Sequence, residues 1–161
     1  MSARAEKLAA DFEKASAGLV AAIESSTDAQ WQAACGNGEW TQAYAAYHAA
    51  ESMRGIAAML QRLADGLPPP STTATSWDEI NAMNAAQAKE HAACTKQDAL
   101  AIIRRDTPAA AAMTRALTDQ QLDRRNLPMM EGMPELTVEQ FAEFVLIGHL
   151  FEHTESMISV R

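Results

Sequence analysis

Only two cysteines, Cys35 and Cys94, occur in 161 residues. They form no CxxC pair, and a chain of this length buries enough surface to fold without staples, so a disulfide framework is not expected. Concentrated positive charge is also missing. Lys and Arg number 13 against 21 Asp and Glu, and the only basic pairs, Arg104–Arg105 and Arg124–Arg125, stand apart. Nucleic-acid binding needs a concentrated basic surface, so it is not expected. The opening MSARAEKLAADFEK lacks the apolar core of a signal peptide, and no apolar run reaches the length of a membrane span. The expectation is one cytoplasmic domain over residues 1–161, with no membrane partner. Glycine is scarce, at seven, and β-branched runs are nearly absent, which leaves little material for a sheet.

What is present is alanine and a set of legible helix signals. Thr27–Gln30, Ser76–Glu79, Thr118–Gln121 and Thr137–Gln140 each read as a capping box, and Thr107-Pro108 reads as a further start. Gly36–Gly38, Gly66 through 68-PPP-70, and 126-NLPMMEGMPE-135 read as stops. Four long helices follow, at about 3–25, 40–64, 77–105 and 138–160, with shorter ones near 28–34, 108–117 and 119–124. On the first, Leu8, Phe12, Ala15, Leu19 and Ile23 make one apolar stripe. The predicted fold is all-α, a four-helix bundle with short accessory helices, and 67-LPPPSTTATS-76 is long enough for a crossover.

The chemistry-bearing residues are histidines. In 149-HLFEH-153 two imidazoles lie four apart, only about 40° around a helix, so they share a face and can chelate one ion. Ala142, Val145 and Leu146 project near that direction, which turns the pair inward. On the second helix His48 has Ala45, Ser52, Gly55, Ile56 and Met59 near its face, several of them small. An inward imidazole needs a partner, because polar burial is costly without one. Two readings stand open: satisfied core histidines, or three nitrogens around an ion with an open position. The order His-x-x-Glu-His also matches a zinc-protease signature. However, only eight residues follow His153, too few for a downstream ligand. Glu152 is also rotated about 100° from His153 and about 60° from His149, so the protease reading is set aside.

Three segments carry a family resemblance. In 38-GEWTQAYAAYHAAES-52 a histidine follows a tryptophan by eight positions, Trp40 to His48, although a glutamate separates Gly38 from Trp40. The short helix 26-STDAQWQAA-34 precedes it, and 117-LTDQQLDRRNL-127 with 137-TVEQFAEFVLIGHLFEH-153 closes the chain. Together these resemble the DinB/YfiT-like superfamily, which includes the N-terminal domains of mycothiol-dependent maleylpyruvate isomerases and bacillithiol transferase-like proteins. The resemblance implies an up-down-down-up bundle and a divalent metal on His48, His149 and His153. In the isomerases the first member of the last pair is glutamate; histidine at 149 is more similar to the thiol-transferase branch.

The activity this implies is transfer of a low-molecular-weight thiol to a small-molecule substrate, or thiol-dependent isomerisation. Metal-dependent hydrolysis, with Glu51, Glu152 or His91 as proton acceptor, is the alternative, and a non-catalytic metal- or ligand-binding protein the third. Zinc or nickel leads the metals, with copper and iron also suited to imidazoles. Tyr44, Ser52, Asn84 and His91 are expected to line the pocket, His91 either as a fourth ligand or proton shuttle or as a plain histidine at the pocket rim or hydrogen-bonded in the interior. Met129, Met130 and Met133 read as a lid or a contact in a homodimer. Trp31, Trp40 and Trp77 read as packing anchors, and Cys94, with no positive neighbour, as an inert thiol.

Overall fold

Helix α1 (Ala3–Ser25) begins on Ser2, whose hydroxyl accepts the Ala5 N–H, and it buries Leu8, Phe12, Ala15, Leu19 and Ile23 along the expected stripe. This is a computed structural model, and it describes residues 2–35, 38, 40–70, 74–126, 130 and 132–159. The short α2 (Asp28–Gln32) opens on the full Thr27/Gln30 capping box. Two-residue strands β1 (Ala34–Cys35) and β2 (Trp40–Thr41) pair antiparallel and lead into α3 (Gln42–Ala64). A second ladder, β3 (Arg125–Asn126) with β4 (Leu136–Thr137), precedes the last helix. The sequence pattern predicts no strands; a two-residue ladder is too short to leave an alternating pattern.

Helix α3 stops in a Schellman turn, with Leu67 N–H bonded to the Arg62 carbonyl and Gly66 N–H to that of Leu63. Gly66 has φ +75°, a conformation that favours glycine, whereas the Arg124 guanidinium that a Cβ there would meet is the end of a flexible side chain and can move aside.

The predicted helix over 77–105 is two helices. Helix α4 (Trp77–Glu90) ends at His91, and α5 (Lys96–Arg115) starts on Thr95 with a Thr95/Asp98 capping box. That box, T-K-Q-D, is inconspicuous in the sequence because it lies inside a stretch of good helix formers. Thr107-Pro108 is correspondingly no helix start: Pro108 sits inside α5, and the separate helix near 108–117 does not exist. Proline there forgoes one backbone hydrogen bond, at an exposed position of the helix. After α6 (Asp119–Leu122), the last bundle helix runs as α7 (Val138–Phe141), a π-helical turn (Ala142–Ile147) and α8 (Gly148–Ile158).

Paired residues fix the helix directions. Arg115 binds Glu6 and Glu13 while Arg104 binds Glu24, so α1 and α5 are antiparallel. The Ser26 hydroxyl meets Gln42 at one level and Ser16 meets Met53 at another, so α1 and α3 are also antiparallel. Cys94 Sγ lies 3.2 Å from the Ala43 carbonyl and Thr107 Oγ1 3.7 Å from Met53 Sδ, so α3 and α5 are parallel. Arg4 forks onto Glu139 at 3.0 and 2.5 Å, tying the start of α1 to the start of α7. The order is therefore up-down-down-up. Parallel α3 and α5 need a crossover the length of the bundle, and α4 with its flanking segments is that crossover.

The core runs between α1, α3, α5 and the last helix, filled by Phe12, Leu19, Met53, Leu60, Ile103, Phe141, Leu146 and Leu150. Each such side chain contributes on the order of 1.5–3 kcal/mol on burial. Helix α4 stands outside this core and buries no residue. Trp77, read as a packing anchor, is 55% exposed for that reason, whereas Trp31 is buried and donates its Nε1–H to the Cys94 carbonyl at 3.0 Å. No helix among the described residues is long and apolar enough to cross a membrane.

Candidate metal centre

His48 lies about two turns into α3, where Ala45, Ala46, Ala49 and Ala50 are fully buried. Side chains this small let the neighbouring helices come close and leave room for imidazoles. His149 and His153 lie on consecutive turns of α8, the last bundle helix. One ring nitrogen from each of the three lies within 4.8 Å of the others. Ring centroids are 5.1 Å apart for His48–His149 and His48–His153, and 4.5 Å for His149–His153.

The π turn aligns this helix. At about 100° per residue, the mean direction of Val138, Phe141 and Ala142 would lie roughly 120° from that of Leu146, Leu150, Thr154 and Met157 on an uninterrupted α-helix. All seven are buried. A π turn takes up about one extra residue, which brings the two stripes to within roughly 20–30° of each other. The turn closes with Gly148 N–H on the Glu143 carbonyl, and a Cβ at Gly148 would approach that oxygen to 3.3 Å. Deletion of Phe144, which is 63% exposed, is therefore expected to yield a continuous α-helix that keeps both stripes and the histidine pair in place. Metal titration should give an affinity within about threefold of wild type, with helix content by circular dichroism unchanged. Loss of binding in a folded deletion variant would contradict the register argument.

Aromatic rings wall the cluster. Trp40 stacks on His153 with centroids 5.5 Å apart and 12° between planes, and meets His48 edge-on at 5.0 Å and Tyr44 at 4.7 Å. The β1–β2 ladder holds it there, pairing Trp40 with Cys35 and Thr41 with Ala34. Trp40 does more than anchor packing, and the signal is visible in the four-residue spacing of Trp40, Tyr44 and His48. Tyr44 is buried and donates its hydroxyl to the Asn84 main-chain carbonyl at 2.9 Å; burial pushes its phenol up to about 12.

Burial also keeps the three imidazoles neutral. Desolvation first, and the neighbouring histidine second, holds His48 at about 4. Desolvation, with His153 and His48 adding to it, holds His149 at about 3, and desolvation alone holds His153 at about 4. Neutral imidazoles offer lone pairs. His48 Nδ1 and His149 Nε2 are buried with no hydrogen-bond partner among the described residues, a costly condition that coordination would relieve. Nitrogens this close need only small side-chain rotations to reach one ion at about 2.0–2.1 Å. The donor set therefore fits a divalent metal.

The other expected site residues divide. Ser52 Oγ lies 3.5 Å from His48 Nε2, at the edge of hydrogen-bond range. Asn84 reaches the site through its main chain, which accepts the Tyr44 hydroxyl. His91 is outside the cluster: it ends α4 and stacks on Tyr47 with centroids 4.2 Å apart. The break between α4 and α5 removes the continuous helical face that the sequence pattern predicts for it. Glu51 and Glu152 are exposed, outside the three-histidine group. Both cysteines are buried; burial raises Cys35 and, with Asp98 adding to it, pushes Cys94 up to about 11, so neither is poised as a nucleophile. Of the methionine loop, Met129 lies outside the described residues, and Met130 and Met133 are half-buried.

Fold and site together define a helical-bundle protein with a three-imidazole cluster that could hold a metal ion. The chain belongs to the DinB superfamily, whose family model matches residues 11–157. Among solved structures it is similar to YfiT from Bacillus subtilis, with a TM-score of 0.73 and 21% identity over 99% of this chain and 87% of that one. YfiT is described as "a probable metal-dependent hydrolase with an unusual four-helix bundle topology". No curated protein matches the chain.

Proposed function

We propose that this protein binds one divalent ion, zinc or nickel, through His48, His149 and His153, and uses it to activate a low-molecular-weight thiol for transfer to a small electrophile. A divalent ion there would supply Lewis acidity, which lowers the proton affinity of whatever occupies its open position. Three neutral ligands leave the ion's positive charge uncompensated, which favours an anion in that position.

The observation that carries the choice of thiol is the lack of a carboxylate in the cluster among the described residues. Water needs a proton acceptor nearby, and both acidic candidates, Glu51 and Glu152, face solvent. A thiol, with an ordinary pKa of about 8.5, gives up its proton to bulk water far more readily. Trp40 packs against His153 and His48, Tyr44 packs against His48, and Ser52 lies beside His48. The likeness to YfiT favours a second reading, hydrolysis.

A thermal-shift screen separates the two. Cysteine, glutathione and other small thiols should raise the melting temperature further only when zinc or nickel is already bound. A metal response with no thiol response, accompanied by turnover of simple esters or amides, would replace transfer with hydrolysis.

A further inference from the structure

Helix α4 is well made but poorly attached. Ser76 caps it by accepting the Glu79 N–H, and the Glu79 carboxylate accepts the Thr75 N–H at 2.8 Å. Yet none of its 14 residues is buried, whereas α1, α3 and α5 each bury five or more. Its half-buried residues include Ile80, Asn84, Gln87 and Ala88, and with the capping His91 they form the side turned toward the protein. Two contacts that dock it both come from α3: the Tyr44 hydroxyl on the Asn84 carbonyl and the Tyr47–His91 ring stack.

The attachment is also lopsided. Just past the C-terminal end of α4, Cys94 is pinned by Trp31 Nε1–H on its carbonyl and by its own Sγ on the Ala43 carbonyl. At the other end Trp77, the first residue of the helix, is 55% exposed, and Met83 in its middle is 54% exposed. A 14-residue helix with no fully buried residue is marginal by itself and opens at low cost. What it lies on is the site's wall: Tyr44 is 1% exposed, its hydroxyl end lies beneath Asn84, and its ring centroid is 5.8 Å from that of His48.

We infer that α4 is a hinged cover of the three-histidine site, pivoting at Cys94 and latched by the Tyr44–Asn84 hydrogen bond and the Tyr47–His91 stack. The inference concerns access to the site proposed above, and it is testable on metal-free protein, so it stands or falls separately from metal binding.

Amide hydrogen exchange on the full metal-free chain reads the opening. Amides of 77–90 should exchange at least about 100-fold faster than those in the middle of α3 and α5. Tyr44→Phe keeps the ring against Trp40 and removes one hydrogen bond, and should speed α4 by roughly a further fivefold while α1 and α5 are unchanged. His91→Ala, which removes the stack without touching the core, should act in the same direction. Carbethoxylation of the histidines by diethyl pyrocarbonate, followed by mass spectrometry, reads the cover directly: modification of His48, His149 and His153 should quicken in both variants. Protection of α4 equal to that of α5, or histidine modification at the wild-type rate in both variants, would overturn the cover. Failure of the wild type to take up metal would overturn the proposed function and leave this result standing.

Discussion

Excess zinc or nickel is expected to raise the melting temperature of the wild-type protein by roughly 5–10 °C, and to leave that of His48→Ala unmoved. A ligand at 100 times its dissociation constant stabilises the folded state by about 2.7 kcal/mol. For a chain of this size each kcal/mol moves the midpoint by about 2–4 °C. The variant should fold without metal, because His48 lies beside the main core and its Nδ1 is a buried nitrogen with no partner among the described residues. Removing it trades the loss of packing against the relief of an unsatisfied polar group. A differential scanning fluorimetry series on both proteins, with and without metal, checks this. An equal metal response in the two would place the binding elsewhere.

Acid should destabilise the metal-free protein steeply between about pH 6.5 and 4. In the unfolded chain the three imidazoles titrate near about 6.5; in the fold they are held at about 4, 3 and 4. Between those values the unfolded state binds protons that the folded state refuses, so stability rises with pH across the window. It is full above the unfolded value and is lost as pH falls toward the folded ones. With three such groups the steepest slope is about 4 kcal/mol per pH unit. Domains of this kind have about 5–15 kcal/mol in all, so the midpoint should lie near about pH 5. Urea unfolding at three pH values, one above the window and two within it, measures the slope. A variant with glutamine replacing His48, His149 and His153 should show a much flatter profile, and an unchanged profile would mean that other groups carry the acid sensitivity.

Three of the four bundle helices and the histidine triad are legible in the sequence. The reason is periodicity: four-residue spacing puts His149 beside His153, and capping boxes at Thr27, Thr118 and Thr137 appear intact. The third bundle helix is not legible, because alanine-rich sequence runs through the α4–α5 break and Pro108 imitates a start. The π turn is hidden for a different reason. Its existence depends on two apolar stripes that are out of phase along one helix, and each stripe alone looks regular. The wall around the site is half visible. Trp40, Tyr44 and His48 repeat every four residues, but Trp40 precedes α3 and is aimed by a two-residue ladder that leaves no pattern of its own. The face predicted for His91 assumes a helix that stops at that residue, and its ring stacks on Tyr47 instead of joining the three histidines.

Metal content per chain, by elemental mass spectrometry on wild type, His48→Ala and His149→Ala after loading and desalting, tests the central claim most directly. One divalent ion per wild-type chain, absent from both variants, is the predicted result. No ion in the wild type, or an ion kept by both variants, would contradict a metal centre at the three histidines.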